Sequence, residues 1–163
     1  MECYYNLNFM FKLLSIDPGK CKCGLVLVDL HQRKVDQAVV LNTEFLAKYV
    51  KTLKSYENIS KVIIGNGTTS KQNIEKLEFI KNDLIIVEEK NTTFRAKKRY
   101  FELFPTKGLK TCLPKEIFLM NKNLDALSAL IILEDYCNHK FTLSEHIDIK
   151  TWLNSKFIFI PCF

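Results

Sequence analysis

Residues 11–19, Phe-Lys-Leu-Leu-Ser-Ile-Asp-Pro-Gly, decide the fold. The first six of them predict a buried strand, because a short apolar run is followed directly by a strong turn signal. The Pro-Gly pair ends the strand and leaves the side chain of Asp17 at the edge of the predicted sheet, where a metal ligand would be useful. Asp-Pro-Gly is also favourable turn chemistry, so this segment alone favours neither a structural nor a catalytic Asp17.

The rest of the chain alternates between strand-like and helix-like hydrophobic periods. Two more strand-like segments follow the first at short distance, which predicts an antiparallel meander. Apolar residues with a 3.6-residue period then mark the first helix, and strands and helices alternate after it. The predicted strands are 11–16, 24–29, 37–41, 61–64 and 84–87, and the predicted helices are 42–55, 71–81, 93–103 and 124–137.

This order, β-β-β-α-β-α-β-α-α, predicts an α/β fold with a mixed five-stranded sheet, because a strand–helix–strand crossover returns parallel. We expect helices on both faces of that sheet. The element order is that of the ribonuclease H-like fold. A chain of 163 residues suggests one domain, which we expect over residues 11–140, followed by a C-terminal tail of unknown structure over residues 141–163.

Composition limits the class of protein. No run of about 18 apolar residues occurs, so we expect no membrane span, and the first ten residues do not resemble a secretory signal. The six cysteines lack a Cys-x-x-Cys pair and are expected to be reduced thiols. We therefore expect a cytoplasmic protein, or one of the plastid stroma if the chain is organellar. The net charge of +6 suits a polyanionic partner.

Acidic residues at two later positions could join Asp17 in a metal site, which needs hard oxygen ligands from separate elements. Glu88 and Glu89 follow the fifth strand, and alternation of side chains predicts that only one of them faces the site. The fourth strand ends in Gly-Asn-Gly at 65–67 and offers no acid. Asp125 opens the apolar last helix. The alternative interpretation of Glu88 and Glu89 is that they are exposed acids at the end of a buried strand. The alternative for Asp125 is that it stabilises the helix through the helix dipole.

Three segments resemble one family, the YqgF/RuvX-type Holliday junction resolvases. Residues 15–25 (SIDPGKCKCGL) resemble its opening strand and turn, residues 87–93 (VEEKNTT) resemble its Asp-Glu-Arg-x-Thr-Thr motif, and residues 125–133 (DALSALIIL) resemble its Asp-x-x-Ala-Ala-x-x-Ile-Leu helix. The segments occur in the family's order. The Gly-Asn-Gly-Thr stretch at 65–68 and the Asn-Thr-Thr form look most like the branch of photosynthetic bacteria and plastids.

The resemblance implies that Asp17, Glu89 and Asp125 are catalytic carboxylates and metal ligands, with Glu88 as a further candidate ligand. It implies two Mg²⁺ ions about 4 Å apart, replaceable by Mn²⁺, one activating water and the other stabilising the leaving oxygen of a phosphodiester. The implied activity is endonucleolytic cleavage of branched DNA or, alternatively, trimming of ribosomal RNA precursors. The chain departs from the family where Glu88 replaces its Asp and Lys90 its Arg. The loop after the fourth strand also lacks the family's Gly-Leu-Pro-x-x-x-Gly pattern.

A predicted helix just downstream of Glu89 adds a basic surface, which is where a phosphate backbone would pass. At 100° per residue its basic residues share one face, although a solvated face of an amphipathic helix would look the same. Its aromatic residues, among them Phe94, are more typical of a core than of base stacking. The expected nucleic-acid contacts are Lys20, Lys22, Lys90, Arg95, Lys98 and Arg99.

The expected partner is branched DNA or structured RNA, bound by a monomer or by a homodimer that matches a two-fold junction. A non-catalytic nucleic-acid-binding or scaffold protein with a decayed site is one alternative, which three retained acids argue against. An actin-like or sugar-kinase ATPase is another, because its first strand also ends in Asp-x-Gly. That fold needs two such domains, and we expect 163 residues to leave no room for them.

Overall fold

The computed structural model describes residues 11–89, 91–105, 124–145 and 147. The strands are β1 (Lys12–Pro18), β2 (Lys22–Asp29), β3 (Lys34–Asn42), β4 (Ile59–Gly65), β5 (Leu84–Val87) and β6 (Thr142–Leu143). The helices are α1 (Leu46–Tyr56), α2 (Ser70–Lys76), α3 (Thr92–Leu103) and α4 (Asp125–Cys137), and short 3-10 turns cover Thr43–Phe45 and Glu78–Ile80.

The strands form one mixed sheet in the order β5-β4-β1-β2-β3-β6. β1, β2 and β3 pair antiparallel, which confirms the predicted meander. β4 pairs parallel to β1 and β5 parallel to β4, which confirms the predicted crossovers. The carboxyl ends of β1, β4 and β5 consequently meet at one edge of the sheet.

The prediction of five strands is wrong by one. Thr142 and Leu143 pair parallel with Lys34 and Val35 and extend the sheet beyond β3. A two-residue strand is too short to show an alternating pattern in sequence, so it fell within the stretch expected to be a tail. The predicted helix over 71–81 is also broken, because α2 ends at Lys76 and a 3-10 turn follows.

Helices cover both faces of the sheet, as predicted. α1 and α2 pack on the face that carries Leu14 and Ile16 of β1. α3 and α4 pack on the opposite face, to which Leu13 of the same strand belongs. Side chains alternate along a strand, so Ser15 and Asp17 follow Leu13 onto the α4 face. In the part of the chain that is described, no helix is both long and apolar enough to cross a membrane.

Candidate active site

Asp17 lies near the carboxyl end of β1, on the sheet face covered by α4. The pKa of Asp17 is raised to about 7, first by burial and then by the charges of Glu89 and Asp125. The Ser128 side chain, one turn into α4, hydrogen-bonds the Asp17 carboxylate and opposes that rise. A carboxylate held this far out of water beside two like charges costs free energy, and such groups are concentrated at functional sites.

Asp125 reaches this point because β2 carries a glycine opposite Asp17. Asp17 and Gly24 are register partners in the β1–β2 pair. A Cβ atom on Gly24 would overlap the backbone carbonyl of Asp125 and the amide of Ala126. The first turn of α4 therefore rests directly on the backbone of β2, which is why its opening acid lies beside the end of β1.

Glu89 reaches the site from β5, and Glu88 does not. Ile85 and Val87 pack against the core under α3 and α4, and the same alternation carries Glu89 to that side, whereas Glu88 is exposed. The Glu89 carboxylate lies against Gly65, where any Cβ would collide with it. Burial raises the pKa of Glu89, while the backbone amide of Gly67 lowers it. Its Oε1 atom is buried without a hydrogen-bond partner among the described residues.

The donor set fits a hard divalent cation. All three side chains offer carboxylate oxygens, which Mg²⁺ and Mn²⁺ prefer, and the unpaired Oε1 of Glu89 is a vacant buried acceptor. In the described ranges, no three His, Cys, Asp or Glu side chains are already close enough to form a metal cage. Glu89 and Asp125 are nevertheless near enough to raise the pKa of Asp17. To be bound by all three carboxylates, a cation would have to bring their oxygens closer together.

Comparisons with known proteins found distant structural likeness. No family model and no curated protein matches this chain. Among solved structures, it is similar to RuvC of T. thermophilus in complex with a Holliday junction substrate, at 12% identity and a TM-score of 0.46, covering 78% of this chain and 95% of that one.

Two Aquifex aeolicus structures are also similar to the chain. One is the Ppx/GppA family member, at 12% identity and a TM-score of 0.36, and the other is the type II variant of the Ppx/GppA phosphatase, at 11% and 0.37. Each match covers 61% of this chain, which spans only 42% and 43% of those two chains. Likeness this distant carries no argument about activity, and the strand order with its crossover helices defines the class.

The fold is ribonuclease H-like. Within it, the basic residues expected to contact nucleic acid fall into different environments. Lys20 is exposed in the β1–β2 turn that follows Asp17, and Lys22 is exposed at the start of β2. Lys98 is exposed on α3, whereas Arg95 pairs with both carboxylate oxygens of Asp135 at 2.5–2.6 Å. The predicted contact at Lys90 lies outside the described residues.

Arg99, predicted as a nucleic-acid contact, instead lies in a buried ion pair. Arg99 is only 7% exposed. Its guanidinium donates to Glu134 Oε1 at 2.8 Å and to the carbonyl oxygen of Phe141 at 2.6 Å. The Glu134 carboxylate also accepts a hydrogen bond from the backbone amide of Phe141 at 3.0 Å. The pair ties α3 and α4 to the segment that leads into β6, so its role is structural.

Phe94 contradicts the expectation that the aromatic residues of this ribonuclease H-like chain's third helix are core residues. It is 75% exposed in the first turn of α3. Tyr100, in contrast, packs against the core under α3 and α4, as expected. A large apolar side chain in water beside exposed lysines is an available contact surface for a base or another apolar group.

Sequence reasoning missed the residues that shape the site without carrying charge. Ser128 is buried in α4 and bonds Asp17, but a serine in an apolar helix gives no signal of its own. Gly24 and Gly65 make room for Asp125 and Glu89. A glycine inside an otherwise apolar strand does mark a close backbone approach, so the signal at Gly24 was present in the sequence.

Proposed function

We propose that this chain is a metal-dependent endonuclease that hydrolyses phosphodiester bonds of structured nucleic acid, in the manner of the YqgF/RuvX-type resolvases. The observation that carries the proposal is the environment of Asp17, whose pKa rises to about 7 under the combined influence of burial, Glu89 and Asp125. An arrangement of buried like charges is costly in the absence of a cation. It is useful when one is bound.

The metal would be held by Asp17, Glu89 and Asp125, with Mg²⁺ as the resident ion and Mn²⁺ as a substitute. When bound, it supplies an activated water and stabilises charge on the phosphodiester oxygens. The protein's own contribution is to fix the carboxylates. Ser128 orients Asp17, Gly24 sets the position of Asp125, and the Oε1 atom of Glu89 remains open for a ligand.

The cationic side chains near this edge suit a polyanionic substrate. Lys20 is exposed on the turn that follows Asp17, Lys22 at the start of β2, and Lys98 on α3. Lysines at such positions bind phosphates through charge, which gives affinity without base specificity. The same carboxylates would serve a ribosomal RNA precursor as well as a DNA junction, so the substrate is a matter for experiment.

The test is cleavage of three labelled substrates, a four-way DNA junction, a linear duplex and a structured RNA, with Mg²⁺ or Mn²⁺ and with chelator. We expect at least one substrate to be cleaved in a metal-dependent reaction. Its rate should fall by about 10²–10³-fold in Asp17→Asn and in Glu89→Gln, as for loss of a main electrostatic contributor. The matched control is Glu88→Gln, which removes the exposed neighbour and should retain most activity.

Two results would overturn the proposal. Full activity of folded Asp17→Asn would show that cleavage does not use this carboxylate. Inactivity on all three substrates, together with no detectable Mn²⁺ binding by calorimetry, would favour a scaffold role instead.

A further inference from the structure

A polar cavity lies behind the turn that follows Asp17. It has a volume of about 370 Å³, within the usual range of ligand pockets, roughly 300–1,000 Å³. Three separate parts of the chain wall it, namely the turn at 19–21, the start of the 3-10 turn at 42–44, and α2 with the residue before it at 69–76. None of the three carboxylates lines it, so it is distinct from the candidate active site.

The cavity's rim carries two lysines from different elements. Lys20 comes from the β1–β2 turn and Lys76 from the last turn of α2. Lys76 donates one hydrogen bond, to the carbonyl oxygen of Thr43 at 3.3 Å. Neither ammonium has a carboxylate partner among the residues described. Of the described residues, Glu44 is the one acid that lines the cavity, and it is exposed, so this wall is cationic on balance.

The inner wall is polar and firmly held. Thr69 donates to the carbonyl oxygen of Pro18 at 2.8 Å, and Thr43 donates to that of Gly19 at 3.2 Å. Asn73, almost fully buried, donates to Gly19 at 3.3 Å and leaves its Oδ1 without a partner within the described ranges. A buried amide oxygen left unpaired is unfavourable, because it has lost its hydrogen bonds to water without replacing them. A ligand hydroxyl or a bound water at this wall would offset that cost.

We propose that this cavity binds a phosphate group, with Lys20 and Lys76 as its cationic contacts. Lysines act as point charges toward phosphate, and the polar wall formed by Gln72 and Asn73 suits the sugar that a phosphate carries. Lys20 lies in the turn that follows β1, three residues beyond Asp17. In the proposed nuclease, the occupant is therefore a backbone phosphate of the nucleic acid adjoining the one that is cut. This last assignment rests on the proposed function, whereas phosphate binding itself does not.

The experiment uses the full chain without divalent metal, so that the carboxylate site does not contribute. Binding of inorganic phosphate and of a nucleoside monophosphate is measured by calorimetry, and binding of a labelled oligonucleotide is measured across a salt series. The variants are Lys20→Gln, Lys76→Gln and the pair together. The matched control is Lys34→Gln, which removes the same charge at the start of β3, opposite Asp29 at the far end of β2.

We expect the paired variant to lose at least fivefold in affinity for the nucleoside monophosphate, and the control to lose none. The slope of log affinity against log salt for the oligonucleotide should become shallower by about 1 for each lysine removed. Asp17→Asn should bind phosphate as the wild type does. The variants of Lys20 and Lys76 are expected to fold, because both lysines are exposed.

The outcomes separate the two layers of the proposal. Unchanged phosphate affinity and unchanged salt slope in the paired variant overturn both. A loss of nucleoside monophosphate binding with an unchanged oligonucleotide slope supports the phosphate site and assigns it to a free nucleotide, which overturns the backbone assignment. If the chain binds no oligonucleotide at all, the proposed function fails, while the calorimetry still decides the phosphate site.

Discussion

Gly24 of β2 lies directly under the backbone of Asp125, so that a Cβ atom on the glycine would overlap the carbonyl oxygen of the acid. Gly24 is also the register partner of Asp17. One glycine therefore sets how closely α4 approaches the sheet and, through that approach, how closely two carboxylates approach each other. The relationship connects local packing in the sheet to the charge density of the site.

Two glycine variants should separate packing from ligand placement. In Gly24→Ala the added methyl meets backbone atoms of α4, which cannot yield without moving the helix, so we expect about 1–3 kcal/mol of destabilisation or more. In Gly65→Ala the added methyl meets the carboxylate end of Glu89, which can rotate away. We expect Gly65→Ala to change stability by less than about 1 kcal/mol and yet to weaken Mn²⁺ binding at least several-fold. Denaturant unfolding and Mn²⁺ calorimetry measure the two effects, and wild-type Mn²⁺ affinity in Gly65→Ala would contradict the placement of Glu89 as a ligand.

The Asp17 carboxylate should make the protein less stable as pH rises. Its pKa is about 7 in the folded chain against an ordinary value of 3.8, so the folded state holds a proton that the unfolded state has released between these values. Stability therefore falls from about pH 4 through about pH 7, because the folded state binds more protons there. Asp17→Asn removes this penalty, and we expect it to be more stable than the wild type by about 1–4 kcal/mol near pH 8, at roughly 1.4 kcal/mol per pKa unit.

Urea unfolding of both proteins at about pH 4 and about pH 8 in the absence of metal checks this expectation. The two should differ far less at the lower pH, which lies close to the ordinary pKa of 3.8 that Asp17 has in the unfolded chain. Glu88→Gln is the control, since it removes an exposed acid from the same edge. Parallel stability curves for Asp17→Asn and the wild type would show that Asp17 is not a strained carboxylate.

The fold was predictable where the hydrophobic periodicity and the turn residues that end an element agree. Residues 11–19 combine an apolar run with a stop signal, and β1 occupies that place. Alternation along β5 also predicted that one acid of the pair after it would face the site, and the structure brings Glu89 there. These inferences depend on backbone periodicity, which a single sequence displays directly.

What could not be predicted depends on contacts between distant segments. In the sequence, Arg99 is one of several basic residues on a predicted helix face. It is buried because Glu134 and Phe141 pack against it in the fold. β6 exists because that same pair anchors Phe141 immediately before Thr142. Phe94 is an aromatic residue, which predicts a core position, but its exposure depends on which elements pack against α3. A helix period indicates a face and does not indicate what covers it.

The buried pair of Arg99 and Glu134 should matter for stability and little for nucleic acid. Their side chains lie 2.8 Å apart and are 8% and 6% exposed. Removing one partner leaves a buried charge unpaired, so we expect Arg99→Met to cost about 3–5 kcal/mol, and the double variant with Glu134→Leu to cost less than the sum of the two single changes. Urea unfolding measures this coupling.

Lys98→Gln is the matched comparison, because Lys98 is exposed on the same helix. It should leave stability nearly unchanged and weaken oligonucleotide binding slightly. If Arg99→Met instead kept wild-type stability and lost oligonucleotide affinity, the structural role of Arg99 would be refuted and the original prediction of a nucleic-acid contact restored.

Ser128 should tune the pH at which the site takes up metal. Its side chain hydrogen-bonds Asp17 and lowers the pKa of that carboxyl, against the raising effects of burial and of two neighbouring acids. A carboxylate must lose its proton to bind a cation, so Mn²⁺ affinity should rise with pH through about 7 in the wild type. Ser128→Ala removes the bond, raises the Asp17 pKa further and moves this rise to higher pH. We expect Mn²⁺ binding to be several-fold weaker than in the wild type near neutral pH and to converge with it at about pH 9.

Ser60→Ala is the control, because this serine bonds the carbonyl oxygen of Lys12 at the other end of β1. It should leave the pH profile of Mn²⁺ binding unchanged. An unshifted profile in Ser128→Ala would mean that the hydroxyl has no part in setting the charge of Asp17. A uniform loss at every pH would mean that Ser128 supports the packing of α4 and not the ionisation of the site.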